Sequence, residues 1–251
     1  VKLANEKLSR IKMQSNVLSP KFIVPFASMV RFCHEENNYM NDSINTPEKI
    51  KKFSKILSEK SIILRPEEEQ QIKNLKQDDD SIFFWKKAFN QIPYLNYNAY
   101  TKSYNIKELE EGFVKFKNRV LQKNSYLLVL ILSKIKFLSI FSKLNIYLYD
   151  IDLSLEISII TGLAKIDKHE NQIIMHSNSL YFIFLNEFGY DTLTVNGNFE
   201  ASKKEFLKMS KFFAIGNLNA LGISLSIKSI INPAVYLIFI KRLLKVSKKL
   251  S

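Results

Sequence analysis

Between residues 105 and 160 the spacing of apolar side chains changes from three or four to two, and that change constrains the fold more than any other feature. Ile106, Leu109, Phe113, Phe116 and Val120 recur at helical spacing and line one face of an amphipathic helix. Asn105 and Glu108 frame its start as a capping box, in which each side chain takes up a backbone N–H that the first turn leaves unpaired. From 146 to 160 (IYLYDIDLSLEISII) apolar and polar residues alternate and β-formers dominate, which predicts strands. A helical stripe followed by alternating strands, with no internal repeat, predicts an α+β or mixed αβ fold.

The flanking sequence is read by the same rules. Leu3, Leu8, Ile11 and Val17 in a polar stretch suit a surface helix that Pro20 stops. Residues 21–26 (KFIVPF) predict a short buried strand, and 61–64 a second one ended by Pro66. The Asn-rich stretch 31–45 predicts a loop. Thr46-Pro47-Glu48 predicts a helix start, with Ile50, Phe53 and Ile56 or Leu57 as its apolar face. Residues 67–80 are strongly charged, with Ile72 and Leu75 as anchors, and read as an exposed helix or linker. Further strands are expected at 172–176 and 192–195, a turn at Gly197, and a helix over 199–213. Asn232-Pro233 opens a basic C-terminal helix, which either docks on the protein or lies on an anionic membrane surface. The expected organisation is therefore 1–66, a charged linker and helical segment over 67–145, an α+β lobe over 146–231, and the helix 232–251.

Composition excludes several classes. With 46% hydrophobic residues the chain can pack a core and is not disordered. Cys33 is the single cysteine, so neither an internal disulfide nor a thiolate zinc cluster can form, which suits a reducing cytoplasm. The first fifteen residues are polar and periodic, unlike a signal peptide, and the start at Val1 rather than Met leads us to expect residues upstream. The apolar run 126–132 is too short to span a bilayer. A net charge of +13 suits an anionic small-molecule partner, although lysines spread along the chain also suit a solvated surface. Nucleic acid is not expected, because no arginine-rich element or recognition motif occurs.

Chemistry is sparse. His34, His169 and His176 are scattered, with no H-x-H, H-E-x-x-H, phosphate-binding glycine loop or G-x-S-x-G. The one local cluster runs from Cys33 to Asn38. There His34, Glu36 and Asn37 are candidate catalytic residues and His34 a candidate metal ligand, since a histidine beside carboxylates can exchange protons or ligate. The alternative is a polar surface loop, and His169 and His176 are expected to flank a hairpin without a chemical role.

Residues 20–28 (PKFIVPFAS), with Phe32-Cys33-His34, Tyr39 and Asn45-Thr46, resemble the last strand and following loop of the metallo-β-lactamase domain in enzymes of the CMP-N-acetylneuraminate hydroxylase type. Residues 63–66 look like the return segment after the next helix, so the resemblance covers about 18–66. It implies the end of an αββα sandwich, and zinc or iron bound by a histidine motif upstream of the matched strand, with none bound by this chain alone. Phe26-Ala27-Ser28 stands where a final metal-ligating histidine follows the strand in many such domains, which leaves His34 as its only candidate replacement. The implied function is the C-terminal portion of a metal-dependent hydrolase or hydroxylase-like enzyme, acting on an anionic, nucleotide-sugar-type substrate in the cytoplasm. The first lobe is then not self-sufficient, because a missing N-terminal segment would cover its edges. The second half, 177–199, is weakly similar to sterol-carrier-like modules, so a non-catalytic module for a lipid or other apolar ligand is the alternative.

Overall fold

The computed structural model describes residues 2–26, 29–57, 61–135, 140–167 and 172–226, and shows a mixed α+β protein. It divides into two compact units, Val1–Ala99 and Tyr100–Ser251.

In the first unit α1 (Lys2–Leu18) buries Ala4 and leaves Met13, Val17 and Leu18 exposed. Ser19, at φ 46°, turns the chain out of the helix. The strands expected at 21–26 and 61–64 reduce to one parallel bridge, Ile23 to Ser61, in which Ile62 N–H donates to Ile23 O at 2.8 Å. Pro25 has no N–H to extend a ladder. Phe26 is 85% exposed rather than buried. Across from the bridge, the Gln77 side chain stands in for a neighbouring strand. Its Oε1 accepts Ile63 N–H at 2.8 Å and its Nε2 donates to Ile63 O at 3.0 Å.

The helix start at Thr46 is as expected. Thr46 Oγ1 accepts Lys49 N–H at 3.3 Å, Pro47 fills the first position, and α2 (Pro47–Ile56) buries Ile50 and Phe53. Leu57, not Ile56, completes the buried face. Ile72 is 82% exposed and anchors nothing. The aromatic run 82–89 lies in α3 (Asp79–Gln91), which Asp78 caps by accepting Asp80 N–H. Trp85 Nε1 donates to Leu64 O at 2.8 Å. The core of this unit is small: Met29, Ile50 and Ile63, with Leu8, Trp85 and Phe89 packed against them.

In the second unit α4 (Ile106–Lys123) carries the expected capping box between Asn105 and Glu108 and buries Leu109, Phe113, Phe116 and Val120. The run 126–132 falls in a second helix, α5 (Tyr126–Lys134). Four strands follow: β1 (Leu144–Leu148), β2 (Leu153–Ser158), β3 (Gly162–Lys165) and β4 (Ile173–Met175), in the spatial order β3-β2-β1-β4. The first three form an antiparallel meander, and β4 returns parallel to β1. Alternation sets the register: Leu144, Ile146 and Leu148 are fully buried, with Leu155 and Ile157 in the neighbouring strand. Among the described residues three helices follow, α6 (Ser177–Leu185), α7 (Gly189–Asn196) and α8 (Lys203–Ala220).

Residues 192–195, expected as a strand, are helical in α7. Gly197 ends that helix in the left-handed region at φ +69°, which spares a side chain's clash. A Cβ on Gly189 would lie 2.7 Å from Ile183 Cα, so only glycine permits this approach of α7 to α6. Phe116, Phe184, Phe212 and Phe213 meet at ring centroids of 5.0 to 6.5 Å and fill the core with the inward strand residues. Among the described residues no helix is long and apolar enough to cross a membrane. The C-terminal helix expected at 232–251, and His169, lie outside the described residues.

Candidate functional site

The stretch 31–45 is ordered by its own amides. A 3-10 turn, Glu35–Ser43, occupies most of it. Asn41 pairs with both backbone groups of Phe32, accepting its N–H at 2.9 Å and donating to its carbonyl at 3.0 Å. Asn37 is buried, and its Oδ1 accepts His34 N–H at 3.1 Å. Arg31 donates to Leu95 O at 3.0 Å, and Cys33 O accepts Asn98 N–H at 2.7 Å, so the loop is tied to the end of the same unit.

The three candidate residues therefore fall in one turn. Its geometry gives Asn37 a backbone-capping role, while His34 and Glu36 are half-buried. Asn45, at the end of the loop, is 1% exposed, and neither its Oδ1 nor its Nδ2 has a hydrogen-bond partner. A carboxamide buried in that state costs about 1–3 kcal/mol for each unmet group.

Zinc or iron takes three or more convergent histidine, cysteine or carboxylate ligands. Among the described residues no three such groups converge.

A second polar cluster lies in the other unit, at the carboxyl ends of the parallel strands β1 and β4; of its members only His176 was named in the sequence, and there without a chemical role. Asp150, just after β1, accepts Ser177 N–H on Oδ1 at 2.7 Å and the Ser177 hydroxyl on Oδ2 at 2.6 Å. Ser177 Oγ in turn accepts Tyr104 N–H at 2.8 Å. His176 caps α6, its Nδ1 accepting Asn178 N–H at 3.0 Å. The neutral ring then carries its proton on Nε2, which faces Asp150 Oδ2 at 3.5 Å. Tyr100 stacks on the imidazole at 3.9 Å, and its hydroxyl meets Ser179 Oγ at 3.2 Å and Asn198 Nδ2 at 2.9 Å.

Burial alone would raise the Asp150 carboxyl. The hydrogen bonds from Ser177, a further one from Ser103 and the nearby His176 outweigh it and hold Asp150 below the ordinary aspartate range. Serine, histidine and aspartate here do not form a nucleophilic relay, because the Ser177 hydroxyl donates to the carboxylate and not to the ring. The cluster is a polar clip that joins residues 100–104, the end of β1 and the start of α6. The sequence signal for it was His176-Ser177-Asn178-Ser179 ahead of an apolar run, a helix-cap pattern.

Comparison with known proteins returned no matching family model, no matching curated protein and no matching solved structure.

Proposed function

We propose that this chain is the C-terminal portion of a cytoplasmic metallo-β-lactamase-fold enzyme, hydrolase or hydroxylase-like, acting on an anionic substrate of nucleotide-sugar type. Zinc or iron is held by an N-terminal segment outside this chain. The observation that carries the proposal is the run 20–28, with Phe32-Cys33-His34, Tyr39 and Asn45-Thr46, which resembles the end of that domain. The segment 21–26, with one bridge and an exposed Phe26, is shaped as a strand awaiting a neighbour. The net charge of +13 suits an anionic substrate. The alternative is an apolar-ligand module; against it, Phe116, Phe184, Phe212 and Phe213 pack on one another in the core of the second unit.

The test is the DNA upstream of Val1. An in-frame segment encoding H-x-H-x-D-H supports the proposal, and a start codon near Val1 with no such frame contradicts it. In the full-length protein, His34→Ala is expected to lower turnover about a hundredfold or more with little change in melting temperature. Unchanged turnover would return His34 to a surface role.

A further inference from the structure

The polar clip holds a histidine whose hydrogen bonds depend on its charge. His176 stands immediately before α6 and is buried. Its Nδ1 caps the helix by accepting the N–H of Asn178 at 3.0 Å, and its Nε2 faces Asp150 Oδ2 at 3.5 Å. Tyr100 stacks on the ring at 3.9 Å, and Tyr149 meets it edge-on at 5.6 Å. A neutral imidazole serves both neighbours, with a lone pair on Nδ1 and a proton on Nε2. An imidazolium cannot, because both of its nitrogens donate. Turning the ring over does not restore the acceptor.

We propose that His176 is a proton-operated cap: when its ring takes up a second proton, α6 loses the acceptor at its first turn, and the join between α6 and residues 100–104 loosens. Asp150 makes the device work. Its hydrogen bonds from Ser177 keep it a carboxylate across the range in which histidine changes charge. It attracts the charged ring and holds it where Nδ1–H is turned on the Asn178 N–H. The other charged groups nearby are placed otherwise. Lys102 Nζ lies on Glu108 at 2.6 Å, and Glu200, bridged to Ile174 of β4, is exposed.

The consequence reaches beyond the cap. Ser177 Oγ accepts Tyr104 N–H at 2.8 Å, Asn178 Nδ2 donates to Lys102 O at 3.3 Å, and the Tyr100 hydroxyl meets Ser179 Oγ at 3.2 Å. All three contacts start from the first turn of α6, so a turn that opens at Asn178 strains each of them. Residues 100–104 lead into α4, whose Phe113 packs on Phe184 of α6. The device lies within the second unit and does not depend on the proposed function.

Nuclear magnetic resonance of the intact chain, titrated from about pH 8 to about pH 5, tests this. Near neutral pH the His176 ring nitrogens are expected to report the Nε2–H form. As the ring charges, the Asn178 amide signal should move with it. The protection of that amide against exchange should fall about fivefold, as for the loss of a helix cap, while β1 amides are unchanged. His176→Asn keeps a capping side chain that does not titrate and should abolish both changes. If it also loosens β1, His176→Ser takes its place. An Nδ1–H form near neutral pH would overturn the proposal. So would a ring that stays neutral throughout the range, or an Asn178 amide that does not follow the ring. An undiminished response in the capping variant would assign the effect to another group and equally overturn it.

Discussion

The two units bury apolar side chains very differently, and the first is also the less hydrophobic of the two in sequence. In Tyr100–Ser251, strands and helices contribute to one continuous core in which Leu144, Ile146, Leu148, Phe184 and Phe212 are fully buried. In Val1–Ala99 the core is a handful of residues around Ile50 and Ile63, while Phe26, Phe83 and Tyr94 are exposed at 85%, 68% and 85%. Buried polar groups do not divide the units so cleanly: the clip at Asp150 and Ser177 meets its hydrogen bonds internally, while Asn45 in the first unit and Gln172 Nε2 in the second lack a hydrogen-bond partner. Both units satisfy some backbone groups with side-chain amides, Gln77 on Ile63 and Asn41 on Phe32 in the first, Asn124 on Leu225 and Asn219 on Ile223 in the second.

The largest effect that would sharpen this contrast is in the second core. Phe212→Ala removes a fully buried ring and is expected to cost about 3–5 kcal/mol, read from urea unfolding followed by circular dichroism. A loss under about 1 kcal/mol would mean that this core is no better packed than the first. Next comes the clip. Ser177→Ala leaves the buried Asp150 carboxylate short of a hydrogen bond and is expected to cost about 1–3 kcal/mol.

The clip also has a pH signature. Because the folded Asp150 carboxyl lies below the ordinary aspartate range, its contribution is present in full above that range. It is lost as pH falls past the ordinary value and through the lower folded one. The urea midpoint of the wild type should therefore drop more than that of Asp150→Asn between neutral pH and this acidic window. Parallel profiles would remove Asp150 from the account. The smallest effect is at the open surface, where Phe26→Ser is expected to change stability by less than about 0.5 kcal/mol. In a full-length protein that covers Phe26, the same change should be clearly destabilising.

How far the sequence could be read follows the same division. Local signals were legible: Thr46-Pro47 and Asn105 with Glu108 each start a helix where expected, and Gly197 ends one. Alternation over 146–160 gave the paired strands β1 and β2. Thr192, Thr194 and Val195 misled, because β-branched residues favour strands only weakly and the glycines at either end of α7 fixed a helix. The clip was not legible, since Asp150 and His176 meet only through the parallel pairing of β1 with β4 across the intervening meander. Nor was the reduction of 21–26 and 61–64 to one bridge, because a strand pattern states only that a neighbour is wanted.

The claim that the second unit stands by itself while the first depends on a covering segment is tested most directly by native-state hydrogen exchange on the intact chain. The β1 amides paired with β2 should exchange only through global unfolding, and Ile62 N–H, held by the single bridge to Ile23, at least about a hundredfold faster. Equal rates at the two places, with the same dependence on denaturant, would show one cooperative structure and contradict the account.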